Sequence, residues 1–249
     1  MTARAAEISP QTYARIGGVL YLIIIAAGGF AEGILRSRLI VPGDAAGTAK
    51  NIMGSEWMWR IAFAGDLAIY ACAVPLVLII YVLLSPVNRH LALLAVFFNL
   101  VNISIDGLNA LSQFAPLLIL GGVDYLKSFN PDQLKALALL FITLHTYGFG
   151  ISLTIFSFVL LLEGYLIFNS DYFPKTLGVL VAIAAICYLT NSLALFLAPA
   201  FHAKIFPVIL IPSFIGELSL CLWLLVMGVD IPKWEEKAKI RNLTANPLP

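Results

Sequence analysis

Four carboxylates, Glu32, Asp66, Asp106 and Glu217, stand in stretches of the chain where almost everything else is apolar. A bare charge in hydrocarbon costs about 2.5–3.5 kcal/mol on insertion scales. Acids so placed take up a proton, bind a cation or meet a base. No lysine or arginine is expected at the same depth, so proton or cation chemistry is the first expectation. Asn99, Asn102, Asp106, Asn109 and Gln113 follow a 3-4-3-4 spacing, which puts all five on one face of a helix. Lipid satisfies none of these groups, so the face must meet protein or water. Two readings stay open for it, a seam of interhelical hydrogen bonds and the wall of a polar cavity. His145 and Asn191, the latter within Thr190-Asn191-Ser192, add polar groups to neighbouring apolar stretches. The candidate ligand-binding set is therefore Glu32, Asp66, Asn102, Asp106, Asn109, Gln113, His145, Asn191 and Glu217. No catalytic residue, metal ligand or cofactor is assigned.

Other chemistries have thinner support. His145 with Asp66, Asp106 and Glu217 offers mixed ligands for a metal, but HExxH, paired histidines and CxxC are all missing. Gly148-Phe-Gly-Ile-Ser152 resembles a serine loop, yet the last apolar stretch has no histidine to activate it. Gly65-Asp66 with Asp106 is a weak match to an aspartyl dyad. A membrane-embedded enzyme acting on lipid is thus an alternative, as is a non-catalytic assembly subunit. Glu163 is expected to reach water, and Cys72, Cys187 and Cys221 read as buried small groups.

The elements that carry these residues follow from composition. Of 249 residues, 61% are hydrophobic and 12% charged, half the charge of a soluble domain. The mean hydropathy is +0.94. A net charge of +1 provides no basic patch for nucleic acid, and three cysteines make no disulfide scaffold. An all-α polytopic membrane protein remains. A helix crosses a ~30 Å hydrocarbon core in about 20 apolar residues. Six stretches qualify: Ile16–Leu35, Arg60–Leu84, Leu91–Ala115, Phe141–Ile167, Lys175–Ala198 and Ile205–Val229. The first lacks a signal-peptide cleavage site and is followed by Arg36 and Arg38 as a stop. The chain reads as a single six-helix transmembrane bundle over 1–249, with both termini on one side and 230–249 a short charged tail ending in a frayed Asn246-Pro-Leu-Pro.

Within this frame Trp57, Trp59, Tyr165, Tyr172 and Trp234 mark the interfaces. Asn130-Pro131-Asp132 reads as a helix start, leading a segment that lies along the interface or lengthens the fourth helix. Gly29-x-x-x-Gly33 reads as a close helix contact. At 1.5 Å per residue, Glu32 lies about 6 Å, Asp66 about 9 Å, Asp106 roughly 13 Å and Glu217 roughly 18 Å from one side of the membrane. The acids are therefore expected at one level, in the half away from the termini. Basic residues divide eight to seven between the sides, so the basic tail favours cytoplasmic termini.

Several stretches, taken in order, resemble a known family. They are Glu163-Gly-Tyr-Leu-Ile, Ser170-Asp-Tyr-Phe-Pro-Lys-Thr-Leu-Gly-Val-Leu and Ala185-x-x-Tyr188-Leu. Ala14-Arg15-Ile-Gly-Gly-Val-Leu-Tyr-Leu, Ile40-Val-Pro-Gly-Asp44 and Ser85-Pro-Val-Asn-Arg before Leu91-Ala-Leu-Leu add to them. Over about residues 13 to 200 the chain resembles the bacterial membrane family catalogued as domain of unknown function 4386. The resemblance implies a six-helix protein of a bacterial cytoplasmic membrane, and no residue roles. The reading favoured by the residues is a protein that binds or transports a small molecule, cation or proton through an acidic cavity open to the non-cytoplasmic side. Its expected partners are the lipid bilayer, a small cationic or amphiphilic ligand and a second copy of the chain, and not nucleic acid.

Overall fold

The computed structural model describes residues 9–245, which form helices and no strand. We number the helices α1 (Pro10–Leu39), α2 (Ala45–Gly54), α3 (Glu56–Leu84), α4 (Arg89–Leu120), α5 (Pro131–Phe168), α6 (Lys175–Leu197), α7 (Pro199–Ile205), α8 (Leu210–Val226) and α9 (Ile231–Ala245). Five of them, α1, α3, α4, α5 and α6, are long and apolar enough to cross a membrane. The bent pair α7–α8, turning by 59°, makes a sixth crossing when counted as one span.

The helices outrun the apolar stretches because polar ends project past the hydrocarbon. At 32 residues α4 is about 48 Å long. The fourth crossing starts where its cap dictates. Asn130 Oδ1 accepts from the Gln133 amide at 2.8 Å, and the Gln133 side chain accepts from the Asn130 amide at 3.0 Å. This reciprocal pair satisfies two end groups, so α5 runs unbroken through the segment that had been expected at the interface or in the helix. The sixth crossing differs more. Residues 199–204, expected as a connection, are helical together with Ile205, and the chain bends before α8 at residues 206–209, where Pro207 supplies no amide. The 246–249 end lies outside the described residues.

The chain divides into two compact units. The first comprises residues 1–22, 73–101 and 153–249. Glycines set its spacing. A Cβ on Gly178 would stand 2.7 Å from the Gly164 carbonyl, so α5 and α6 touch backbone to backbone. Gly18 meets the Leu225 backbone, and Gly216 meets the Leu180 carbonyl, bringing α1 and α6 each against α8. One end of this unit gathers helix ends and turns. Gln11 at the start of α1 donates to the Met227 carbonyl at 2.9 Å and accepts from the Val229 amide at 3.0 Å. The Leu83 carbonyl, in the last turn of α3 where the helix no longer supplies donors, accepts from Tyr172 and Trp234 at 2.6 and 3.1 Å.

The second unit comprises residues 23–72 and 102–152. Its core holds Leu39, Ile52, Trp59, Leu117 and Ile142. Trp59, expected at the interface, is fully buried and donates to the Gln113 carbonyl at 2.9 Å. Tyr172 is likewise buried, whereas Trp57 and Tyr165 are exposed as expected. Gly29 and Gly33 are exposed, and a Cβ on either would meet nothing. The pair therefore makes no close helix contact, contrary to the motif reading.

Candidate functional site

In the second unit α1 loosens into π-helical turns over Gly29–Arg36, a geometry frequent at functional sites. Arg36 on these turns is 1% exposed. Its Nη1 and Nη2 donate to both carboxylate oxygens of Asp66 on α3, and Nη1 donates also to Glu32, four residues earlier. This is a correction: the acids were expected to lack a base at their level. The reading had ended the first span at Leu35 and treated Arg36 as a flank. The helix instead continues to Leu39, which carries the guanidinium among the acids. A guanidinium fork matches two carboxylate oxygens, and the pairing offsets part of the desolvation cost of both charges. Glu32, with its side chain 58% exposed, is the outer member of the triad.

The polar face of α4 meets α3 and α5. Asn102 Oδ1 accepts from Ser152 Oγ, and Asn109 donates to the His145 carbonyl at 2.9 Å and stands 3.1 Å from His145 Nδ1. The Tyr70 hydroxyl donates to the Asp106 carbonyl at 3.2 Å. The Asp106 carboxyl makes no ion pair among the described residues. Gln113 is 1% exposed, and its Oε1 has no hydrogen-bond partner. Seven of the candidate residues, Glu32, Asp66, Asn102, Asp106, Asn109, Gln113 and His145, therefore belong to one compact unit.

Glu217 and Asn191 belong to the other. Glu217 on α8 accepts from the Tyr21 hydroxyl of α1 at 2.9 Å and from the Tyr188 hydroxyl of α6. The two phenols place it in a cluster of its own within the first unit. Asn191, one turn after Tyr188, is 5% exposed with Oδ1 unpartnered, as is Ser192 Oγ. Sequence reasoning passed over Arg36, Tyr70, Ser152, Tyr21 and Tyr188. The four-residue interval from Glu32 to Arg36 was the one available signal for the first. Nothing local marks a tyrosine that reaches an acid on another helix.

The alternative chemistries lose ground here. Among the described residues no three His, Cys, Asp or Glu side chains gather as a group able to hold a metal ion. Asp66 spends both oxygens on Arg36, leaving no proton-sharing dyad with Asp106. The Ser152 hydroxyl is turned to Asn102.

The chain belongs to the family described as Domain of unknown function (DUF4386), whose model matches residues 16–228. No curated protein and no solved structure matches it.

Proposed function

We propose that this protein binds or transports a small cationic solute, with Asp106 releasing a proton as the cation arrives. One observation carries the reading. Arg36 is matched to Asp66 and Glu32, whereas Asp106 makes no ion pair among the described residues. A membrane carboxylate in that position holds a proton or a cation. Gln113 retains an unused acceptor, and exposed Glu32 is the first charge an entering cation meets. The Asn102–Ser152 and Asn109–His145 bonds hold α4 and α5 in register. We assign the protein to a bacterial cytoplasmic membrane, with its termini in the cytoplasm and the acidic face toward the other side.

The test is proton release. Purified full-length protein in weakly buffered detergent receives tetraphenylphosphonium, and a pH dye reads the medium. The wild type should acidify the medium saturably and Asp106→Asn should not. Equal acidification by the variant rejects the role of Asp106. Silence from the wild type with both tetraphenylphosphonium and methylammonium rejects the reading. It would favour an assembly subunit, for which the direct Asn102–Ser152 and Asn109–His145 bonds serve only as helix glue.

A further inference from the structure

In the first unit, α3, α4 and α5 surround a cavity of about 10 Å³, room for about one water molecule. Val77, Ile80 and Leu166 form part of its apolar lining, and Tyr81, Asn99 and Glu163 are its polar lining residues. Glu163 was expected to reach water. It is instead 7% exposed, and no described residue gives its carboxyl a hydrogen bond. The Asn99 amide and the Tyr81 hydroxyl have no side-chain partner among the described residues either. Glu163 makes no ion pair among the described residues.

We infer that Tyr81, Asn99 and Glu163 form an intramembrane site for one dehydrated, sodium-sized monovalent cation. The donors are hard oxygens, which suit such an ion. One carboxylate matches one positive charge, whereas a divalent ion would leave one charge uncompensated in hydrocarbon. A water alone would fill the space but leave the carboxylate charge uncompensated in hydrocarbon. A proton alone would neutralise the charge but leave the amide and phenol oxygens idle. The volume excludes an organic cation. This site shares no residue with the one proposed at Asp106, so the two stand or fall separately.

Equilibrium binding of radioactive sodium to the full chain in lipid vesicles, with choline as the balancing cation, tests the assignment. We expect saturable binding by the wild type and by Asp106→Asn. Binding should vanish in Glu163→Gln and weaken about tenfold in Asn99→Leu, which retains the carboxylate but lacks one ligand. Sodium should also raise the unfolding temperature of the wild type relative to choline, and leave Glu163→Gln unmoved. The assignment is overturned if the wild type binds no sodium, or if Glu163→Gln or Asn99→Leu binds it as tightly as the wild type. Should Glu163→Gln fail to fold, Asn99→Leu alone decides.

Discussion

Lys237 on α9 donates to the Asp171 carboxylate at 2.7 Å and to the Asn169 carbonyl at 3.2 Å, fastening α9 to the turn between α5 and α6. Asp171 sits at φ +65°, a left-handed conformation that Asp tolerates better than most residues. The Lys237 ammonium holds its carboxyl below the ordinary value of 3.8. A carboxyl with a lower folded than unfolded pKa adds stability above the unfolded value and loses it as pH falls through the folded one. The difference in unfolding temperature between wild type and Lys237→Met should therefore be constant above about pH 5 and shrink below pH 4. The side chain is 61% exposed, so after solvent screening the pair contributes at most about 1 kcal/mol. A difference that grows on acidification would contradict the pairing. At this scale, residue type was legible but partner was not. The cost of intramembrane acids marked Asp66 and Asp106 from composition alone. Arg36 reaching Asp66, Trp59 finding the Gln113 carbonyl, and two tyrosines closing on Glu217 all depend on which helices become neighbours.

Helix pairing depends on where backbones approach. Ala at 178 would push a methyl to 2.7 Å from both the Gly164 carbonyl and the Phe168 amide, and backbone atoms cannot rotate away. Gly178→Ala should thus lower stability by about 1–3 kcal/mol, read as a fall in unfolding temperature in detergent. Gly29→Ala and Gly33→Ala, which would meet nothing within 4 Å, should leave it within about 0.5 kcal/mol. Equal losses in all three would mean that α5 and α6 do not pack on Gly164 and Gly178. The contrast also explains a misreading. The glycine pair visible in sequence lies on one helix, and spacing alone cannot tell a contact face from an outward one. The pair that matters has one member on each of two helices. Helix existence, by contrast, was legible from hydropathy, and the start of α5 from its cap. The π-helical turns and the bend before α8 were not, because both are backbone adjustments to packing rather than properties of a window of residues.

For the molecule as a whole the open alternative is five crossings against six, since α8 is 17 residues, about 26 Å, and falls short of ~30 Å by itself. Contacts within the first unit decide for six. The α6 helix starts at the turn that Lys237 grips and ends at Leu197, yet Asp230 already donates back to the Tyr172 carbonyl of that turn. The chain between Leu197 and Asp230 must therefore recross, using α7 and α8 together. Gln11 beside Met227 and Val229 then puts the start of the first crossing on the same side as the end of the last. Cysteine labelling tests this directly. With Cys72, Cys187 and Cys221 replaced, single cysteines at Lys127, Arg89 and Lys239 are treated in intact cells with a membrane-impermeant maleimide. We expect Lys127→Cys to react at once, and Arg89→Cys and Lys239→Cys only after permeabilisation. The reverse pattern would invert the proposed orientation but keep six crossings. Reaction of Lys239→Cys together with Lys127→Cys, while Arg89→Cys stays protected, would mean that the bent pair turns back without crossing, because α4 separates the other two positions by a full membrane span.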